Sequence, residues 1–256
     1  MQKLMSFIIL CVVLLSCGDG FTGSRSNNNN NVTLQSSYAT LLTVGDFLYA
    51  INTNEIVTFD VKDPKNPREI DKQTVGFRIE NIFHQSGVLF IGSPQALHIY
   101  KIDDNGIPRE QSQTNYFDDR DVTPCEPVIV QGNIAFVTLS TSISGRCGRR
   151  SRVNELRIYD VSDISKPVLL SQTRLEQPKG LGIDGNYLFV CEEQNGVAVL
   201  DVSDRSKPVI IDRLEKFPSY DVIADEGLLM VVCPKEIRQY DYTDIHDIIY
   251  LSSIDI

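Results

Sequence analysis

Short apolar runs rich in Val, Ile, Leu, Phe and Tyr recur along the chain at nearly even spacing, with Asp, Ser, Asn, Gly and Pro gathered between them. Five glycines, Gly45, Gly87, Gly132, Gly185 and Gly227, each precede such a run, at steps of 42, 45, 53 and 42 residues. The runs that follow them are FLYAI (47–51), VLFIG (88–92), IAFVT (134–138), YLFVC (187–191) and LLMVV (228–232). A second run comes a few residues later: IVTFDV (56–61), LHIYKI (97–102), LRIYDV (156–161), VAVLDV (197–202) and IRQYDY (237–242). A third stretch lies ahead of each glycine, as in EPVIV (126–130) and YDVIA (220–224), and a fourth follows a turn, as in PVLLSQT (167–173). β-branched and aromatic residues favour strands. Runs apolar on both faces, such as residues 197–200, suit sheets buried on both sides. Asp, Ser, Asn, Gly and Pro supply the turns between strands. No helical period is visible after Cys17. Four short strands per unit and five units predict an all-β chain folded as a five-bladed β-propeller of about 42-residue repeats.

The repeat is plainest where DVSDISKPVLL (160–170) returns forty-one residues later as DVSDRSKPVII (201–211). This unit resembles the LVIVD repeat, a propeller-type repeat of bacterial extracytoplasmic proteins. The resemblance covers roughly residues 40–256, strongest in units three and four, fair in unit one (DVKDPKNP, 60–67) and degenerate in units two and five. It implies a fold and brings no catalytic residues with it. The units are expected near residues 34–75, 76–117, 118–175, 176–216 and 217–256. The final IIYLSSIDI supplies an outer strand for the fifth, beside which residues 32–36 are placed to pair.

Ahead of the repeats, Lys3 and the apolar residues 7–15 form a targeting segment too short to span a membrane, which takes about 20 residues. It ends in LLSC (14–17), which resembles a bacterial lipobox and makes Cys17 the expected lipidation site, with residues 1–17 as a lipoprotein signal peptide. Residues 18–33, with their NNNNN run, read as a polar tether. Gly18 after the lipidated Cys points to the outer membrane rather than the inner one in the enteric sorting scheme. The chain holds 24 Lys and Arg against 34 Asp and Glu. Loss of residues 1–17 removes only Lys3 and leaves a net charge of −11, which argues against nucleic acid as a partner and against docking on anionic lipid.

Outside the cytoplasm the remaining cysteines are candidates for pairing. Cys125 precedes the long third unit and Cys147 lies in its insertion. A bridge between them would stabilise that loop by about 3 kcal/mol on the chain-entropy model. Cys191 and Cys233 share a register after their glycines and read as buried small hydrophobes in preference to a bridge between neighbouring blades. Of the histidines, His98 reads as packed in a strand and His246 as part of a solvated turn. The pairs Asp160/Asp163 and Asp201/Asp204 lack the alternating oxygen ligands of a calcium loop and read as turn formers. No metal or cofactor is expected.

Two features carry functional candidates. The residue six before each glycine begins an innermost strand, so Asn81, Glu126, Lys179 and Asp221, with Ala39, are expected to ring one mouth of the channel, where a small polar ligand would sit. The insertion contains GRCGRRSR (145–152), whose Arg146, Arg149, Arg150 and Arg152 form a basic knot suited to carboxylate, phosphate or sulfate. FDDRD (117–121), just upstream, is its internal alternative partner. The expected function is a non-catalytic, lipid-anchored scaffold that recognises an envelope protein or anionic polymer in the bacterial envelope or on the cell surface. An enzyme or small-ligand binder at the channel mouth, using Glu126, Lys179 and Asp221, is the alternative of a different class. A structural subunit of an envelope complex is the third.

Overall fold

The structure is a computed structural model that describes residues 40–76, 79, 81–117, 127–140, 153–214 and 217–256. These residues form twenty strands in five four-stranded antiparallel sheets, and no helix occurs among them. Blade 1 holds β1 (Leu41–Val44), β2 (Phe47–Ile51), β3 (Glu55–Asp60) and β4 (Arg68–Thr74). Blade 2 holds β5 (Asn81–Gln85), β6 (Val88–Gly92), β7 (Ala96–Ile102) and β8 (Pro108–Asn115). Blade 3 holds β9 (Val128–Gln131), β10 (Ile134–Ser140), β11 (Asn154–Asp160) and β12 (Val168–Arg174). Blade 4 holds β13 (Leu181–Asp184), β14 (Tyr187–Cys191), β15 (Val197–Asp201) and β16 (Val209–Leu214). Blade 5 holds β17 (Asp221–Asp225), β18 (Leu228–Val232), β19 (Glu236–Asp241) and β20 (Ile249–Asp255). Each sheet is a simple meander, and the whole is a five-bladed β-propeller. The closing strand expected from residues 32–36 lies outside the described residues.

Local chemistry explains the repeat. The first hairpin of every blade is a two-residue turn, and in blades 2 and 5 both of its residues adopt positive φ (Ser86 51°, Gly87 76°; Glu226 45°, Gly227 91°). That geometry matches the twist of the flanking strands and favours glycine. The DVSD echo builds two successive side-chain turns. Asp160 accepts from the Ser162 N–H (2.8 Å) and Asp163 from the Ser165 N–H (3.0 Å). Asp201 and Asp204 do the same for Ser203 and Ser206, Asp60 and Asp63 for Lys62 and Lys65, and Asp241 and Asp244 for Thr243 and His246. His246 is thus part of a turn, as its sequence context suggested. A bulge follows in the fourth strand of all five blades, where one extra residue sits opposite Thr58/Phe59, Ile99/Tyr100, Ile158/Tyr159, Val199/Leu200 and Gln239/Tyr240 of the third. Bulges increase local twist, and here they sit at the same point of every blade.

One rule orders the packing. Counting along the second strand of each blade, positions two and four face the preceding blade and position three faces the next. Leu89 and Ile91 meet blade 1, whereas Phe90 meets blade 3. Ala135 and Val137 meet blade 2, and Phe136 meets blade 4. Leu188 and Val190 meet blade 3, and Phe189 meets blade 5. The result is four apolar seams, one between each consecutive pair of blades. The innermost strands pack in the order β1, β5, β9, β13, β17. Among the described residues, β17 and β1 make no comparable contact, and blades 5 and 1 share no buried apolar cluster.

Polar latches reinforce the seams. The Gln85 amide grips the backbone of Gly132 (3.0 Å from its N–H, 2.5 Å to its O). The Gln131 amide, with its oxygen turned to the Gly185 N–H, grips Gly185 in the same way (3.1 and 2.8 Å). Further out, Ser112 Oγ donates to the Ile164 carbonyl (2.6 Å) and Ser171 Oγ to the Arg205 carbonyl (2.8 Å). Each is a donation from one blade to the aspartate turn of the next.

Candidate functional site

Backbone bonding defines which residues begin the innermost strands. Asn81 pairs with Gly92 and Asp221 with Val232, each the fifth residue of a second strand. Thr40, Pro127 and Gly180 occupy the same place in blades 1, 3 and 4, since their carbonyls accept from the N–H of Ile51, Thr138 and Cys191. Lys179 therefore lies one residue ahead of this ring. The offset arises because Gly185 opens its turn whereas Gly227 closes its own. Glu126 and Ala39 lie outside the described residues.

The polar groups at this mouth are engaged within the fold. Asn81 is buried, its amide donating to the Val128 carbonyl of blade 3 (3.1 Å) and accepting from the Gly92 N–H (3.2 Å). Asp221 is 8% exposed and packs directly on Gly180, where an added Cβ would lie 2.1 Å from its Oδ1. Glycine at 180 thus makes room for a buried carboxylate. Behind it, Glu192 is fully buried, accepts from the Glu176 N–H (2.8 Å) and is ion-paired with Arg213. Lys179 Nζ stands 3.7 Å from Glu193 Oε2. The structure therefore brings Lys179, Asp221, Glu192 and Glu193 to one end of blades 4 and 5, with Asn81 a latch in blade 2.

Burial governs the other reactive groups. Cys191 and Cys233 are free thiols in the seam between blades 4 and 5, and burial pushes both above the ordinary thiol range. They pack as small hydrophobes and carry no bridge. His98 is buried, Nε2 lies 3.1 Å from Ser93 Oγ, and desolvation lowers its pKa to about 4, so the ring is neutral at pH 7. Among the described residues, no group of three His, Cys, Asp or Glu is placed to hold a metal ion. Cys17, Cys125, Cys147, Arg146, Arg149, Arg150 and Arg152 all lie outside the described residues.

A second feature leaves no local signal in the sequence. Leu214, Phe217, Arg238, Tyr240 and Tyr250 line a shallow cleft of about 370 Å³ on the outer rim between blades 4 and 5. Phe217 stacks on Tyr240 (centroids 6.2 Å, planes at 19°), and Tyr250 meets Tyr240 edge-on at 5.5 Å. The Arg238 guanidinium sits 4.3 Å over Phe217 and is held by Glu236 at 2.7 Å. Beside the cleft, β20 is exposed along its whole length, with Ile249, Tyr250, Leu251 and Ile254 each more than half exposed. The three aromatics come from different strands or loops, so no local motif announces the cleft.

Five stacked four-stranded meanders with the aspartate turns and latches above define a β-propeller. The LVIVD repeat model matches residues 151–173 and 179–215, so the chain carries LVIVD repeats in its third and fourth units. Solved structures agree on the fold. A functionally unknown protein from Desulfotomaculum acetoxidans superposes with a TM-score of 0.64 at 9% identity, over 85% of this chain and 69% of that one. The periplasmic gluconolactonase PpgL of Pseudomonas aeruginosa gives 0.64 at 11% identity, over 83% and 68%. AztD of Citrobacter koseri gives 0.57 at 14% identity over 85% of this chain, which spans 61% of AztD's length. No curated protein sequence matches the chain significantly.

Proposed function

We propose that this chain is a non-catalytic recognition scaffold, held at a bacterial membrane through lipid on Cys17 and presenting its outer rim to an envelope protein or anionic polymer. The observation that carries the reading is the uncovered apolar strand β20 beside the aromatic cleft. Contiguous exposed apolar surface of this kind marks protein contact, and aromatic and Arg side chains are the usual anchors of such contacts. The mouth supports it from the other side, because among the described residues Lys179 faces Glu193, Glu192 is paired with Arg213 and Asn81 bonds backbone. The net negative charge disfavours nucleic acid, and the Arg146, Arg149, Arg150 and Arg152 loop is the second expected contact, for acidic groups. The test is crosslinking in intact cells followed by capture of the chain, wild type against a variant with Ala at those four arginines. A partner held by the wild type and weakened in the variant supports the scaffold reading and its basic loop. A wild type that captures no macromolecule overturns the reading in favour of a small-molecule role at the mouth.

A further inference from the structure

Blades 3 and 5 carry the same arginine, and blade 3 covers it where blade 5 does not. Arg157 and Arg238 each lie two residues before the tyrosine at which the strand register steps, Tyr159 and Tyr240. Each follows a glutamate by two residues, and that glutamate accepts from its Nε: Glu155 at 2.7 Å, Glu236 at 2.8 Å. Each guanidinium also stands over a phenylalanine of the segment leading into its blade. Arg157 is 4.6 Å from the Phe117 centroid, and Arg238 is 4.3 Å from that of Phe217. The two phenylalanines match in register. Thr114 pairs with Leu97 as Leu214 pairs with Val197, and each phenylalanine follows three residues later. Blades 1, 2 and 4 have Val57, His98 and Ala198 at the arginine position, so blade 3 is the internal template for blade 5.

The difference lies in one further partner. In blade 3, Tyr116 supplies two contacts to the arginine: its carbonyl accepts from Nη1 (2.7 Å), and its ring centroid lies 5.9 Å from Cζ. The Arg157 side chain is then only 7% exposed. In blade 5 the sequence has Lys216, which carries no ring, at the position of Tyr116. On the strand side, Ser253 pairs with Arg238 where the longer Gln172 pairs with Arg157. Arg238 bonds Glu236 and, among the described residues, no backbone carbonyl, and its side chain stays 29% exposed. The space left is the cleft of about 370 Å³ that Leu214, Phe217, Tyr240 and Tyr250 line with it.

We infer that the cleft takes one aromatic residue of a polypeptide partner, its ring against Arg238 and Tyr250 and its own carbonyl on the guanidinium, as Tyr116 serves Arg157. The inference rests on the recognition reading and narrows its partner to a protein. A guanidinium is drawn to an aromatic face more strongly as water leaves. Its remaining N–H groups then need an acceptor, since a buried donor left unpaired is costly. Tyr116 shows that a single residue meets both needs. An acidic group fits less well, because Glu236 already holds Arg238 at 2.7 Å and a second carboxylate would repel the first. The cleft is near the lower end of ligand pockets, about 300 Å³, which suits one side chain.

The experiment titrates the purified, nitrogen-15-labelled chain with blocked pentapeptides Ser-Thr-Xaa-Thr-Ser, in which Xaa is Tyr, Phe, Leu or Glu. The Arg238 Nε–H resonance, assigned by its loss in Arg238→Lys, reports the cleft directly. The Tyr and Phe peptides should shift it and bind about tenfold tighter than the Leu and Glu peptides. That preference should vanish in Tyr250→Ala, a half-exposed side chain whose removal leaves the circular dichroism unchanged. Equal binding of the Tyr and Leu peptides, tighter binding of the Glu peptide, or a ring preference that survives Tyr250→Ala would each overturn the inference. No shift with any peptide would overturn it too, and would mean that the chain itself covers the cleft. The two readings fail separately. A partner crosslinked in cells without any ring preference in the titration sinks only the cleft, whereas a ring preference without a captured partner sinks only the scaffold.

Discussion

Phe136 and Met230 occupy the same position in their blades, and truncation of each should cost very different amounts. Phe136 is fully buried in the seam between blades 3 and 4, against Leu188, Val190 and Ala198 among others. Removing a buried Phe side chain down to Ala typically costs about 3–5 kcal/mol, because transfer and cavity terms add. Domains of this kind are stable by only about 5–15 kcal/mol, so Phe136→Ala should shift the urea midpoint strongly and leave the slope unchanged. Met230 presents one side to solvent, so Met230→Ala creates no closed cavity and should cost about 1 kcal/mol or less in the single chain. The chain has no Trp, so unfolding is followed by circular dichroism and Tyr fluorescence. Equal losses at both positions would refute the assignment of four seams and an open fifth.

Arg213→Ala should destabilise the fold by about 3–5 kcal/mol, since it strands the fully buried Glu192 carboxylate, and adding Glu192→Gln should recover part of that loss in the same urea titration. His98 titrates at about 4 when folded and near the ordinary histidine value of 6.5 when unfolded, so the unfolded chain binds more protons between those values. Stability is complete above about pH 6.5 and falls as pH drops toward 4, by about 3 kcal/mol from this group. His98→Gln should flatten that part of the pH profile, leaving the carboxylate contribution from the aspartate turns below it. Cys17→Ala should move the chain from the detergent phase to the aqueous phase on Triton X-114 partitioning, and an unchanged partition would remove the lipid anchor. Intact mass under non-reducing conditions should show the Cys125 and Cys147 thiols protected from alkylation, with Cys191 and Cys233 alkylated only after unfolding.

The repeat was legible because its turns depend on local chemistry: an aspartate two residues before a backbone N–H is visible as letters, and so are the hairpin glycines and the alternation of β-branched runs. The channel mouth was less so. Glycine alone does not say whether it opens or closes a two-residue turn, and that single step moves Lys179 one place ahead of the ring while leaving Asn81 and Asp221 in it. Glu192 and Arg213 gave no signal, since their pairing joins residues far apart in sequence across one blade. The cleft around Phe217, Arg238, Tyr240 and Tyr250 was hidden for the same reason. The outward faces of blades 1 and 5 read like every other blade in sequence, because their strands carry the same aliphatic positions, and only the packing shows that among the described residues these two sets share no buried cluster.

The most direct test of the recognition reading uses the partner captured by crosslinking, bound to the purified chain in three forms. One carries Ala at Arg146, Arg149, Arg150 and Arg152, one carries Tyr250→Ala in the cleft, and one carries Lys179→Ala at the mouth. The account predicts at least a tenfold loss of affinity in the arginine variant, in Tyr250→Ala or in both, about 1.4 kcal/mol, and no change for Lys179→Ala. Loss confined to Lys179→Ala, with the arginine variant and Tyr250→Ala binding as wild type, would contradict it and place the function in the channel.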